Sequence, residues 1–121
     1  MKKQQLHATF KGGEVRVALF VYIDEGVQVC YAPELDLYGY GNTEDEALNS
    51  FTIALDEYLS YVLSHKTLGK DLKRLGWTVD VRKKVYTAPS LPDLLGRNDD
   101  FLQTITTRSY RKLDRLVALP A

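Results

Sequence analysis

A chain of 121 residues, 45% of them hydrophobic, is long enough for one domain with its own core, or for a small domain with a tail. Its 16 basic and 16 acidic residues cancel to a formal charge of zero, which excludes a global field toward nucleic acid or membrane and leaves such contacts to local patches. The single cysteine, Cys30, excludes an internal disulfide. No apolar run approaches the roughly 20 residues of a membrane-spanning helix, and Met1 to His7 carries no apolar signal segment, so a soluble cytoplasmic protein with no membrane contact is expected.

Val15 to Ile23 is rich in β-branched and aromatic residues and apolar on both faces, as in a central strand covered on two sides. Asp24-Glu25-Gly26 supplies turn chemistry, and Val27 to Ala32 is expected to run back antiparallel. Leu35 to Tyr40 alternates and reads as a short edge strand, with Pro33 lacking the donor that a central strand needs. Gly39 and Gly41 allow torsions or close contacts closed to other residues. Thr43 and Glu46 have capping-box spacing, so a helix starts there. Its apolar residues Ala47, Leu48, Phe51, Ala54, Leu55, Tyr58, Leu59 and Val62 form one stripe, expected to cover the sheet. Thr67 to Leu75 reads as a second helix stopped by Gly76, and Trp77 to Val85 as a half-buried strand that completes the sheet. Beyond Pro89, one or two helical turns over Ser90–Leu95 and a helix capped by Asn98 are expected. Lys112 to Leu119 reads as strand or helix. The fold class is therefore α+β, a three- to four-stranded mainly antiparallel sheet under a long helix, with residues 1–87 as the domain and 88–121 as a C-terminal extension.

Little in the chain suggests catalysis. The two histidines, His7 and His65, lie far from Cys30 in sequence, so neither a metal site nor an activated thiol is expected, and Cys30 reads as core filler. No nucleophile elbow, phosphate loop or dinucleotide fingerprint occurs, and no cofactor is expected. A meander followed by a helix is how the ribonuclease H fold begins, but that chemistry needs acids in the first strand to hold paired metals. Val15 to Ile23 has none, and Asp56 and Glu57 diverge by about 100° on their helix. The eight tyrosines are the anomaly. Tyr31, Tyr38 and Tyr40 gather at the edge strand beside Glu34 and Asp36, a combination that suits either sheet packing or a partner surface.

The segment from about Val15 to Leu63 resembles the HicB antitoxin family. The resemblance rests on Ala32-Pro-Glu-Leu-Asp-Leu-Tyr-Gly39 and on Gly41-Asn-Thr-Glu-Asp-Glu-Ala-Leu48. It implies a truncated ribonuclease H-like fold without nuclease activity and a HicA-type ribonuclease toxin as partner, with an orphan homologue lacking a toxin as the other form. The expected partner-binding residues are Tyr31, Glu34, Asp36, Tyr38 and Tyr40, and a homo-oligomer is expected. The family's ribbon-helix-helix or helix-turn-helix ending is not matched after Thr87. The alternative is a nucleic-acid-binding transcriptional regulator that binds duplex DNA or RNA through Arg82, Lys83, Lys84, Arg108, Arg111, Lys112 and Arg115.

Overall fold

The computed structural model describes residues 9–11, 13–80, 82–83 and 85–119, and the main sheet it shows is four-stranded, fully antiparallel and ordered β4-β3-β2-β7. The strands are β2 (Gly13–Asp24), β3 (Val27–Ala32), β4 (Leu37–Gly41) and β7 (Tyr110–Leu119); a short β1 (Thr9–Lys11) precedes them. The β2–β3 turn has positive φ at both Glu25 and Gly26, the torsions that match the twist of a tight hairpin. As expected, β2 is central, paired with β3 over its second half and with β7 along most of its length.

Both faces of β2 are covered. Val15, Val17, Leu19 and Val21 face α1 (Glu44–Ser64), which buries Ala47, Phe51, Leu55 and Val62 on them, while Phe20 faces the other way into a second cluster with Tyr31, Leu94 and Phe101. Those last two residues come from α3 (Leu91–Arg97) and α4 (Asp99–Thr107). The cap on α1 forms as the spacing predicts: Thr43 Oγ1 accepts from the Glu46 N–H at 3.1 Å. The Glu46 carboxylate reaches one residue further back than the expected box, to the Asn42 N–H at 2.8 Å. Gly39 is needed for a close approach. A Cβ there would lie 2.7 Å from Phe51 Cα and closer still to the Ala47 carbonyl oxygen and the Phe51 nitrogen. The helix therefore rests on the strand backbone at this point.

Three expectations require correction. Leu35 and Asp36 are not strand: β3 ends at Ala32, and residues 33–36 form a turn in which Asp36 takes φ +55°. Leu35 is buried from that turn, which is why its side chain mimicked strand alternation. The run from Trp77 to Val85 does not complete the main sheet. It splits into β5 (Thr78–Asp80) and β6 (Val85–Thr87), because Asp80 Oδ1 accepts from the Lys83 N–H at 3.1 Å and bends the chain, and these strands pair in a separate sheet ordered β1-β6-β5. The fourth strand of the main sheet is β7, from the segment expected as an extension. The sheet thus runs across the boundary expected at Thr87. Between the sheets, α2 (Leu68–Arg74) ends at Gly76 with φ +98°, and Tyr58 of α1 donates to Asp71 Oδ2 at 2.5 Å to hold it.

Candidate functional site

Because paired residues of neighbouring strands share a face, the register builds two aromatic rows on the side of the sheet away from α1. One row is Tyr110, Tyr22, Val29 and Tyr40; the next is Lys112, Phe20, Tyr31 and Tyr38. Phe101 of α4 packs edge-on against Phe20 with ring centroids 5.0 Å apart and against Tyr31 at 5.6 Å, so α4 covers the centre and leaves the β4 end open. Tyr31 stacks on Tyr38 at 4.2 Å, and Tyr38 lies parallel to Tyr40 at 5.9 Å. Tyr38 and Tyr40 are 36% and 55% exposed. Together they form a ladder that steps from the second core to solvent.

The five expected partner-binding residues separate into two groups. Tyr38 and Tyr40 are exposed on the sheet face beside the edge, and Asp36 is exposed in the turn before it. Tyr31 is buried: its hydroxyl donates to Asp36 Oδ1 at 2.8 Å and accepts from Asn98 Nδ2 at 2.9 Å, and burial followed by the Asp36 contact raises its pKa far above the usual phenol value. It positions Tyr38 and α4 and is not a free surface. Glu34 turns inward. Its Oε1 accepts from the Ala18 N–H of β2 at 2.6 Å, and its backbone carbonyl accepts from Trp77 Nε1 at 2.7 Å.

The edge itself is half blunted. The Tyr40 N–H is taken by Ser50 Oγ of α1 at 3.0 Å, and two-residue alternation aims the Tyr38 N–H and C=O the same way, away from β3. The aromatics Phe20, Tyr22 and Tyr110 escaped sequence reasoning. Their signal lay in the hairpin register, which places Phe20 and Tyr22 opposite Tyr31 and Val29. Burial, with smaller contributions from the neighbouring Tyr38 and Tyr40 hydroxyls, pushes the Tyr22 phenol up to about 12.

The basic residues do not form one surface. Arg82 and Lys83 sit in the β5–β6 turn, and Lys84 lies outside the described residues. Arg108 is bound to Asp24 at 3.0 Å and to the Ile23 carbonyl at 3.2 Å. Arg111 pairs with Glu44 of α1, and Arg115 donates to Thr52 at 3.0 Å beside the Phe51 ring. Those two lie on the α1 face, whereas Lys112 is on the opposite face and bonds Asp114 at 3.1 Å. Neighbouring strand positions alternate faces, which is what divides them.

Among the described residues no three His, Cys, Asp or Glu side chains gather to hold a metal ion, and Asp56 and Glu57 are exposed on α1. Cys30 is fully buried, with its thiol pushed up to about 11 by burial. No described helix is long and apolar enough to cross a membrane. What the fold defines is an α+β domain whose central sheet is covered by a long helix on one side and by a short helical pair on the other. The chain matches no family model, and comparison with curated proteins and with solved structures finds no match.

Proposed function

We propose that the protein is a HicB-like antitoxin of the cytoplasm that neutralises a HicA-type ribonuclease by covering it, without catalysis of its own. The observation that carries this reading is the β4 edge, where Tyr38 and Tyr40 are stacked and exposed beside Tyr38 backbone groups that point away from β3 and bond no other described residue. Stacked tyrosines offer large rigid area with little entropy to lose, and an open strand edge offers main-chain bonds to a partner strand. Asp36 beside the edge, and Asp100 close enough to raise the Tyr38 pKa, give the patch the sign that attracts a basic ribonuclease. The meander β2-β3-β4 followed by α1 has the element order of a truncated ribonuclease H fold, and its β2 carries acids only at Glu14 and Asp24, near its ends. Asp24 is occupied by Arg108.

The test is coexpression with the small basic protein that this reading expects to be encoded beside it. The antitoxin restores growth and binds in a pull-down, and Tyr38→Ala with Tyr40→Ala speeds dissociation while Asp36→Lys slows association, most at low salt. Failure to protect, or wild-type kinetics in both the double tyrosine variant and Asp36→Lys, overturns the reading.

A further inference from the structure

Below the covered part of the aromatic face, the same side of the sheet opens into a cavity of about 350 Å³. Its floor is Arg16, Ala18 and Phe20 of β2 with Lys112 and Asp114 of β7. Pro33 and Glu34 wall one side, and residues 88–91 with Leu94 wall the other. The volume is at the small end of the roughly 300–1,000 Å³ of ligand sites, which suits a molecule of amino-acid size. The walls are largely apolar, with Phe20, Pro33, Ala88, Pro89, Leu91 and Leu94 among them.

The charges inside are unevenly matched. Arg16 lies 3.9 Å from Asp114 and Lys112 lies 3.1 Å from the same carboxylate, so two cations share one anion and that group of three carries a formal charge of +1. Glu34 makes no ion pair among the described residues; Ala18 occupies one of its oxygens, and the other has no hydrogen bond there. Glu34 is bonded to the Ala18 N–H and Ala18 pairs with Asp114, so the Glu34 carboxylate and the cationic group lie side by side on the floor of the cavity, placed for an ammonium and a carboxylate carried on one carbon, and the apolar walls take the rest of the ligand. A simple anion meets Glu34 and Asp114 unfavourably, and a simple amine leaves the surplus on Arg16 and Lys112 unanswered. We propose that this cavity binds a small zwitterion with a compact apolar body, the class of the apolar α-amino acids. The inference is separate from the toxin reading, since neither Tyr38 nor Tyr40 lines the cavity.

A proton competes with the ligand. Burial raises the Glu34 carboxyl to about 7, against the opposing pull of the Ala18 N–H and Lys112 and with a small addition from Asp114. Arg16, Lys112 and Asp114 are the charged groups lining the cavity with it from β2 and β7, and the wall leading into α3 adds only the Ser90 hydroxyl. Amino acids stay zwitterionic between pH 6 and 8, so the ionised fraction of Glu34 sets the pH dependence. Affinity falls by about tenfold from pH 8 to pH 6.

The experiment uses backbone amide shifts of the full chain, titrated with L-leucine, L-phenylalanine and L-tryptophan, and with 2-phenylethylamine and 3-phenylpropionate as single-charge controls. The Ala18 amide reports on Glu34 directly, and Leu94 reports on the opposite wall. At least one amino acid is expected to give saturable shifts at both amides, with each control weaker by about tenfold or more. Glu34→Gln abolishes this preference, and Arg16→Gln, at an exposed position that leaves the fold intact, weakens amino-acid binding without changing that of the amine. No saturable shift with any of the three amino acids, equal binding of the controls, or unchanged binding in Arg16→Gln would each overturn the assignment.

Discussion

Substituting Gly39 by alanine adds one methyl group at the point where α1 rests on β4, and the result should be out of proportion to its size. The new Cβ would lie 2.7 Å from Phe51 Cα, with the Ala47 carbonyl oxygen and the Phe51 nitrogen nearer still, whereas ordinary contact begins at 3.4 Å. None of these three atoms belongs to a side chain that can rotate away. The helix must retreat by about 1 Å, and the buried side chains that sit at the contact, Ala47 and Phe51, move with it. Overpacking a core by a methylene costs about 1–3 kcal/mol where side chains can adjust. Here only backbone is available to move, so Gly39→Ala should lose about 3 kcal/mol. Gly96→Ala is the internal control: a Cβ at Gly96 meets nothing within 4 Å, and the residue lies within α3, so it should gain about 0.5–1 kcal/mol from helix propensity. Urea unfolding followed by far-ultraviolet circular dichroism measures both. Equal midpoints for the two variants would refute the close helix–strand packing.

Thr43→Ala removes the acceptor of the Glu46 N–H and should lower stability by about 1 kcal/mol in the same assay; an unchanged midpoint would remove the cap from the account. Glu34 should make stability fall as pH rises. Its folded carboxyl titrates at about 7 against 4.5 in the unfolded chain, so between those values the folded state holds a proton that the unfolded state has released. Relative to wild type, Glu34→Gln should therefore be more stable at pH 8 than at pH 5, by about 1–3 kcal/mol, and parallel pH profiles would show that the carboxyl is not desolvated when folded. Asn98→Ala should lower stability by about 1–2 kcal/mol, because Asn98 Oδ1 accepts from the Phe101 N–H at 3.0 Å while its Nδ2 donates to Tyr31. If the proposed toxin binds at the ladder, Asn98→Ala should slow its binding less than Tyr38→Ala speeds its release, since Asn98 lies behind the ladder and not on it.

The parts of the fold legible in the sequence were those set by neighbours along the chain. The β2–β3 hairpin, the Thr43 cap, the apolar stripe of α1, the Gly76 stop and the Asn98 cap each depend on residues within a few positions of one another. What could not be read there depended on distant partners. Lys112 to Leu119 is ambiguous in isolation, and becomes strand because β2 presents a free edge from Gly13 to Tyr22. The Trp77–Val85 run alternates correctly for a strand, yet the Asp80 side chain captures the Lys83 N–H and converts it into a hairpin. For the candidate site, Tyr38 and Tyr40 were visible as edge aromatics. The cavity was not, because Arg16, Glu34, Ser90 and Asp114 are brought together only by the sheet and the α3 wall.

The early end of β3 accounts for most of what is unusual on this side of the molecule. β2 continues from Phe20 back to Gly13, but β3 leaves it at Ala32, so this half of β2 is paired with β7 alone within the main sheet. Pro33 cannot donate to a ladder, and the chain instead turns, burying Leu35 in the α1 core and sending Glu34 back across the gap. There the Glu34 carboxylate does what a strand carbonyl would have done for the Ala18 N–H, at 2.6 Å. A side chain filling a backbone role leaves space beside it that a strand would have occupied, and the segment through Ala88, Pro89 and Ser90 forms the far wall of that space without closing it. Trp77 holds the turn in place through the Glu34 carbonyl. The same turn sets the start of β4 and hence which face Tyr38 and Tyr40 present. The Glu34 carboxylate and the two tyrosines thus stand at opposite ends of one short segment, residues 33–40, whose turn places both.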